Sequence, residues 1–176
     1  MTNEQATTLE ALQTALKMEV DGKTFYLKVS KSSKNKLGKE LLKKLAAEED
    51  VHRGVFQNIY DTLKAKKGWP DIKYQGDGGQ GLRTLFAQAL EGISKNPPSL
   101  TVELDAVSVG MDLENKTYDF YKERSAKAGN SAEKELYESI AMQESEHHRV
   151  LQDYYEYLKD PAQWYSKTEH SSVDGG

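Results

Sequence analysis

The sequence predicts an all-α protein folded as a four-helix bundle. Four segments carry apolar residues at spacings of three and four, a pattern typical of one buried helix face. A constellation of Glu and Glu-x-x-His occurs twice in matched register, and the connections inside each pair of segments are short. The 176 residues are enough for one well-filled hydrophobic core, so we expect a single domain over residues 1–176.

The predicted helices form two hairpins. They span residues 3–31, 36–66, 99–128 and 131–159. Ser99 and Glu103 stand near a capping arrangement for the third helix. Asn130 or Ser131 can cap the fourth helix, and Pro161 ends it because the proline ring clashes with the preceding turn. Short connections force antiparallel neighbours, so the first helix pairs with the second and the third with the fourth.

A long crossover, residues 67–98, joins the two hairpins. Connections of this length without structure are uncommon, and the stretch Leu82–Ile93 predicts a short helix inside it. The glycine-rich run Gly76–Gly81 is interpreted as a flexible loop rather than a phosphate cradle, because no strand precedes it and no Gly-Lys-Ser/Thr follows. Residues 160–176 are predicted to be a C-terminal tail.

The composition excludes several classes of function. The net charge is −4 and the cationic residues are spread along the chain, so no basic patch indicates nucleic acid or an anionic membrane surface. The absence of cysteine excludes disulfides, thiolate nucleophiles and cysteine-held metal clusters. No apolar run approaches the roughly 18 residues of a membrane span, and the N-terminus has no signal-peptide pattern. We therefore expect a cytoplasmic protein.

One constellation of acidic and imidazole side chains occurs twice, 95 positions apart (114 − 19 and 147 − 52). In each copy a lone Glu is followed 30 positions later by Glu-x-x-His, and a Phe-Tyr pair stands six and seven positions after the lone Glu. The candidate metal ligands are Glu19, Glu49, His52, Glu114, Glu144 and His147. All six lie on the apolar stripes, so we expect them to meet in the core.

Four buried carboxylates require a compensating charge. An unpaired buried carboxylate costs several kcal/mol, and four close together also repel one another. Two divalent cations balance four carboxylates, and two Fe³⁺ ions bridged by an oxide carry the same charge. Residues three apart on a helix lie roughly 5 to 6 Å from each other, so Glu-x-x-His reaches one metal or an adjacent pair. Such ligands favour iron or manganese over zinc and copper, and the choice between iron and manganese stays open.

Helix register separates these candidates from their neighbours. His147 lies three positions after Glu144, whereas His148 is turned by about 100° around the helix. Glu48 and Glu146 are interpreted as solvated flanks of the two stripes.

Four sequence motifs contain the candidate ligands. They read E-V-D-G-K-T-F-Y, L-A-A-E-E-D-V-H, E-N-K-T-Y-D-F-Y and A-M-Q-E-S-E-H-H, beginning at residues 19, 45, 114 and 141. They resemble the helix motifs of the rubrerythrin branch of the ferritin-like di-iron carboxylate proteins. The resemblance covers the whole chain. It implies a ferritin-like bundle that holds two iron ions, with manganese as the alternative.

The resemblance also implies roles for two tyrosines. Tyr26 and Tyr121 would each donate a hydrogen bond to the lone Glu of the other copy, which would orient that ligand. The alternative is simple packing, with each hydroxyl satisfied by some other core partner.

The function implied is that of an oxidoreductase whose iron pair reacts with O₂ or hydrogen peroxide, as a ferroxidase or a peroxidase. The alternatives are iron sequestration with little turnover and a manganese-catalase-like reaction. We expect a small oligomer, most simply a homodimer.

Two features depart from the rubrerythrin pattern. Rubrerythrins proper carry a four-cysteine rubredoxin domain that feeds electrons to the iron pair, and this sequence has no cysteine, so a separate electron donor protein is expected. They also have a seventh carboxylate three residues after the third-helix Glu, where this sequence has Thr117. The sequence therefore supports a metal pair more directly than it supports any one reaction.

Overall fold

The computed structural model describes residues 3–72, 74–90 and 101–171. The helices in these ranges are α1 (Asn3–Ser32), α2 (Lys36–Lys64), α3 (Gln80–Leu90), α4 (Thr101–Ala126), α5 (Ser131–Lys159) and α6 (Pro161–Ser171). The described residues contain no strand, so the predicted all-α class is confirmed. None of the described helices is both long enough and apolar enough to cross a membrane.

Two helical hairpins make the bundle. α1 packs along α2, α4 packs along α5, and the hairpins meet through α1 against α4 and α2 against α5. Asn35 caps α2 by accepting a 3.0 Å hydrogen bond from the backbone N of Leu37. Asn130 caps α5 by accepting a 2.9 Å hydrogen bond from the backbone N of Glu133. Of the two predicted caps for this helix, Asn130 is the one used.

The hydrophobic core consists of two clusters, one toward each end of the bundle. One contains Tyr26, Leu41, Leu45, Val107, Val150 and Leu151 among others. The other contains Leu12, Phe56, Ile59, Tyr121, Tyr137 and Ile140 among others. Along each of the four long helices, the candidate ligands fall between residues of the two clusters. The polar centre is therefore enclosed by apolar packing at both ends.

The crossover helix α3 packs against α2 and α5. It contributes Leu82 and Phe86 to the core and begins two residues before the predicted Leu82, and residues 91–93 of the predicted range lie outside the described residues. The glycine-rich segment before it includes two residues in the left-handed region, Gly78 with φ 62° and Gly79 with φ 74°. This segment lies against α5, where the backbone N atoms of Asp77 and Gly78 donate hydrogen bonds to the Gln143 side chain.

The C-terminal tail contains a helix that the sequence did not predict. Pro161 follows the end of α5, as predicted, but it is also the first residue of α6. The first position of a helix suits proline because the N–H there has no partner within the helix. Asp160 caps α6 by accepting a 2.9 Å hydrogen bond from the backbone N of Gln163. Trp164 packs edge-on against Phe86 of α3 and Tyr157 of α5, with ring centroids 5.8 and 6.1 Å apart.

The predicted cap of the third bundle helix lies partly outside the described residues, since Ser99 falls in the gap before α4. Glu103, the other member of that predicted arrangement, is buried and accepts hydrogen bonds from Ser33 Oγ at 2.6 Å and from Tyr154 Oη. It therefore connects α4 to the other hairpin and to α5. α4 also ends at Ala126, two residues before the predicted boundary.

Candidate metal centre

Four helices deliver the six candidate ligands to one place. α1 and α4 each supply a lone glutamate, and α2 and α5 each supply a Glu-x-x-His pair. All six residues are at most 3% exposed, namely Glu19, Glu49, His52, Glu114, Glu144 and His147. The internal repeat thus becomes an approximate twofold arrangement, with one copy contributing α1 and α2 and the other α4 and α5.

The six residues fall into two overlapping groups able to hold a metal ion. In each group the ligand atoms lie within 4.8 Å of one another. One group is Glu19, Glu49, His52 and Glu144, and the other is Glu49, Glu114, Glu144 and His147. Glu49 and Glu144 belong to both groups, while each lone glutamate and each histidine belongs to one. The overlap could accommodate two adjacent cations with these two carboxylates in common.

Each histidine turns its Nδ1 atom toward carboxylates of both copies. His52 Nδ1 lies 3.0 Å from Glu144 Oε1 and 3.4 Å from Glu19 Oε2. His147 Nδ1 lies 3.2 Å from Glu49 Oε1 and 3.4 Å from Glu114 Oε2. The two imidazole rings stack with centroids 5.7 Å apart and planes 15° apart.

Several of these inward-facing atoms make no hydrogen bond of normal geometry despite their burial, although they lie close to the carboxylate and imidazole atoms named above. They are Glu19 Oε2, Glu114 Oε2, Glu144 Oε1, His52 Nδ1 and His147 Nδ1. Buried polar atoms without a partner are rare and costly in folded proteins. Here these atoms lie close together, and all of them are oxygen or nitrogen atoms able to bind a metal. The carboxylates among them supply negative charge, which attracts cations. The donor set therefore fits a pair of iron or manganese ions.

Both tyrosines that follow the lone glutamates reach across the bundle. Tyr26 Oη donates a hydrogen bond to Glu114 Oε1, and Tyr121 Oη donates one to Glu19 Oε1. Burial and the charge of Glu114 raise the pKa of Tyr26 well above its usual value, and burial and the charge of Glu19 do the same for Tyr121. Both phenols therefore keep their protons and act as donors that fix one oxygen of each lone glutamate.

The shared and the lone glutamates have opposite protonation tendencies when no cation is bound. Burial and the neighbouring carboxylates raise the pKa of Glu49 and of Glu144 well above the usual range. Burial is the largest effect on Glu19 and Glu114 and raises the pKa of each, but the charge and hydrogen bond of a facing histidine, together with hydrogen bonds from a second glutamate and a tyrosine, give a net lowering. Without metal, the two carboxylates that belong to both ligand groups therefore favour the protonated form more than the lone glutamates do.

The histidines complete this charge distribution. Burial lowers the pKa of His52, but the charge and hydrogen bond of Glu19 together with the charge of Glu49 raise it more, and the net pKa is above the usual value. Burial opposes and Glu114 favours the charged form of His147, with a net pKa well above the usual value. A metal ion binds the deprotonated side chains, so metal binding must release these protons.

Glu48 is not a solvated flank, contrary to the sequence-based interpretation. Its Oε2 lies 2.9 Å from His147 Nε2, the ring nitrogen that faces away from the shared carboxylates, and its side chain is only 14% exposed. Glu146 is also largely covered, at 13%, through ion pairs with Arg83 and Arg149. α5 carries crossover segments on its outer side, which a helix stripe read from sequence alone does not reveal.

A cavity of about 170 Å³ reaches the centre between α1 and α4. Its lining includes Gly22 and Thr117, which occupy equivalent positions of the repeat, each three residues after a lone glutamate. A Cβ atom at Gly22 would lie 3.5 Å from the Glu49 carboxylate. Thr117 uses its hydroxyl to donate a 2.9 Å hydrogen bond to the Leu113 carbonyl. The cavity is small compared with the roughly 300 to 1,000 Å³ of sites for drug-sized ligands.

The fold and the centre together define a class: a ferritin-like helical bundle whose core contains a buried carboxylate and histidine cluster fit for metal. A sequence comparison identifies the family within that class. The family model described as Rubrerythrin matches residues 10–155, so this chain belongs to the rubrerythrin family. That family binds a di-iron centre. Comparisons with curated proteins and with solved structures returned no match.

Proposed function

We propose that this protein binds two metal ions, iron by preference, and reduces O₂ or hydrogen peroxide at that pair. The observation that carries the proposal is the overlap of the two ligand groups, which share Glu49 and Glu144. One tetrad of ligands would indicate a single structural cation. Two tetrads with two members in common favour a closely spaced pair, which suits two-electron chemistry.

Each ligand has a distinct role in this proposal. Glu49 and Glu144, which belong to both groups, would be shared by the two ions, Glu19 and Glu114 would each bind one ion, and each histidine would supply one nitrogen. The pairing of Tyr26 with Glu114 and of Tyr121 with Glu19 supports terminal positions for the lone glutamates. A glutamate that has one oxygen held by a phenol has its other oxygen oriented for a single ion.

Two bound Fe²⁺ ions would supply two electrons on oxidation to Fe³⁺, enough with two protons to convert one hydrogen peroxide to two waters. The chain's own contribution is access and orientation. The cavity beside Gly22 and Thr117 admits molecules of the size of O₂ or hydrogen peroxide and is too small for a larger organic substrate. The buried Tyr26 and Tyr121 keep their protons on Oη and hold the terminal carboxylates in place.

Reduction of the oxidised pair requires electrons from outside. The sequence contains no cysteine, so it has no thiolate redox group of its own, and we assign this step to a separate donor protein. A homodimer and a cytoplasmic location remain predictions of the sequence.

Stopped-flow absorption of Fe²⁺-loaded protein mixed with O₂ or with hydrogen peroxide tests the proposal. We expect two iron ions per chain and oxidation faster than that of free Fe²⁺ in the same buffer. The matched variants are Glu49→Ala, at a shared ligand, and Glu123→Ala, at a glutamate of α4 whose side chain is 61% exposed. The first should lose the acceleration and the second should keep it. Two bound ions without acceleration by either oxidant would favour sequestration instead.

A further inference from the structure

The two histidines of the metal centre differ on their outer sides. His147 Nε2 lies 2.9 Å from Glu48 Oε2. His52 Nε2 has no hydrogen-bond partner within the described parts of the chain. The neighbour of His52 there is Tyr74, whose ring stands edge-on to the imidazole with centroids 5.7 Å apart. One histidine is thus held by a carboxylate, and the other is held by aromatic packing.

The internal repeat traces this difference to one pair of positions. Glu48 and Gln143 are equivalent, 95 residues apart (143 − 48), and each directly precedes a shared glutamate. Gln143 is buried, and with its amide oriented to suit its neighbours its oxygen accepts hydrogen bonds from the backbone N of Asp77 at 2.9 Å and of Gly78 at 3.1 Å. Gln143 therefore holds the crossover, whereas Glu48 holds a histidine.

The residues one helical turn earlier also differ between the two copies, and they reinforce the contacts of Glu48 and Gln143. Lys44 Nζ lies 3.4 Å from Glu48 Oε1, on the side of that carboxylate away from His147. The equivalent residue of the other copy, Ser139, donates a 3.5 Å hydrogen bond to the carbonyl of Tyr74. The outer face of α2 thus supports a candidate ligand, and the outer face of α5 anchors a loop.

A carboxylate on the outer nitrogen changes what an imidazole can do for a metal. The carboxylate keeps the proton on Nε2, which leaves the Nδ1 lone pair directed at the centre. It also makes Nδ1 more basic and so a stronger metal ligand. Removing such a partner typically weakens metal binding about 10-fold to 100-fold. His52 lacks this support among the described residues, so its Nδ1 lone pair is not fixed in the same way.

We propose that the two metal positions have unequal affinities and that Glu48 makes the position beside His147 the tighter one. The inference rests on the proposed function only in requiring that two ions bind. Glu48 belongs to neither ligand group and acts through His147, so it is a positioning residue. The position formed by Glu49, Glu114, Glu144 and His147 should fill first, with an affinity about 10-fold to 100-fold above the other.

Titration of the metal-free protein with Co²⁺ tests this inference without relying on activity. Visible absorption and calorimetry would follow binding, and anomalous diffraction from crystals with one equivalent of Co²⁺ would locate the first ion. We expect that ion beside His147. Repulsion between two cations separates binding steps even when the positions are identical, so the location of the first ion decides and the existence of two steps does not.

Glu48→Gln is the main variant, because it keeps the side-chain size and removes the charge. We expect the first step to weaken about 10-fold to 100-fold while the second changes little. The control is Glu146→Gln, at a similarly covered glutamate whose side chain pairs with Arg83 and Arg149. It should leave both steps unchanged. Equal weakening of both steps in Glu48→Gln, or weakening by the control variant, would overturn the role of Glu48.

A second pair of variants keeps the test decisive if Glu48→Gln folds poorly. His147→Ala should abolish the tight step, whereas His52→Ala should retain it and lose the weaker one. The same loss in both variants, or a first ion beside His52, would overturn the inference. If the protein binds no Co²⁺ at all, the proposed function fails as well; if it binds two ions equally tightly, only this inference fails.

Discussion

The two copies of the repeat are alike toward the metal centre and unlike on their outer sides. Toward the centre, Glu49 and Glu144 are both buried and shared, and each histidine turns Nδ1 toward carboxylates of both copies. On the outer sides, Glu48 contacts a histidine while Gln143 binds the crossover backbone. The inner residues are of the same types in both copies, as a symmetric set of metal ligands would require. The outer residues differ because the two helices pack against different parts of the chain. The crossover covers α5 at Gln143, so Gln143 contacts the crossover backbone, whereas Glu48 contacts a histidine.

The largest expected effect tests the likeness of the shared glutamates. Glu49→Ala and Glu144→Ala each remove a carboxylate that both metal positions use, so we expect iron content to fall from two per chain to nearly none. Glu19→Ala and Glu114→Ala each disturb one position and should leave about one ion. Elemental analysis of protein loaded with excess Fe²⁺ under anaerobic conditions measures this. Retention of two ions in Glu49→Ala would contradict the sharing.

The second prediction concerns pH. The pKa values of Glu49, Glu144 and both histidines are raised in the metal-free centre, so these groups must lose protons when a metal binds. Metal affinity should therefore fall as pH falls, by about tenfold per pH unit for each proton released. Isothermal titration of Mn²⁺ at about pH 6 and about pH 8, in buffers of different ionisation enthalpy, counts these protons. Affinity that is independent of pH would contradict the prediction.

The same shifts fix the sign for stability. A group whose folded pKa is raised stabilises the folded state at low pH, and that contribution is lost as pH rises through the raised value. The loss should begin near pH 4.5 for Glu49 and Glu144 and near pH 6.5 for the two histidines, so all four groups should make the metal-free protein less stable as pH rises above about 6.5, while the metal-loaded protein should not lose stability in this way. The difference in melting temperature between loaded and metal-free protein should widen with pH in that range.

The third prediction compares the two tyrosines. Tyr26→Phe and Tyr121→Phe each leave a buried glutamate oxygen without its donor, which costs about 1 to 3 kcal/mol in the free energy of unfolding. Because the two hydrogen bonds are related by the repeat, we expect similar losses, measured by urea denaturation. Tyr60→Phe is the control, since the hydroxyl of Tyr60 pairs with Gln13 in an exposed position. It should change stability by less than about 0.5 kcal/mol.

Unequal losses would indicate that the inner part of the repeat has also diverged. A loss for Tyr26→Phe as small as that for Tyr60→Phe would contradict a role for this phenol in holding Glu114.

The smallest expected effect tests the unlike outer side. Gln143→Ala removes the acceptor for two backbone N–H groups of the crossover, and Gly76→Ala places a Cβ atom against the Gln143 amide. Both should speed hydrogen exchange at residues 77 and 78 and leave global stability nearly unchanged. Gly54→Ala is the control, because a Cβ atom there meets nothing within 4 Å. Unchanged exchange in both loop variants would mean that Gln143 does not hold the crossover.

The sequence predicted the bundle and the burial of the six candidate residues in one place, because a helical period determines both. A stripe with a period of 3.6 residues places Glu19 and its five partners on core-facing helix faces, and the repeat gives their register. The match of the Rubrerythrin family model to residues 10–155 and the all-helical structure confirm the predicted family and fold.

The sequence did not predict the contact of Glu48 with His147 or the helix α6. Both depend on how separate parts of the chain pack together or on a turn signal with two interpretations. Glu48 stands about 100° from Glu49 around α2, and its contact with His147 depends on the orientation of α5. α6 was missed because Pro161 was interpreted only as a stop signal, although Asp-Pro is also a pattern typical of a helix start. A comparison of the repeat residue by residue would have drawn attention to the Glu48 and Gln143 pair.

The central claim is that the duplicated ligands hold two metal ions between them. Anomalous diffraction at the iron and manganese edges, on crystals of protein purified with its native metal, tests it most directly. We predict two ions in the core, both in contact with Glu49 and Glu144, with iron as the predominant element. A single ion, or two ions that do not share these glutamates, would contradict the account.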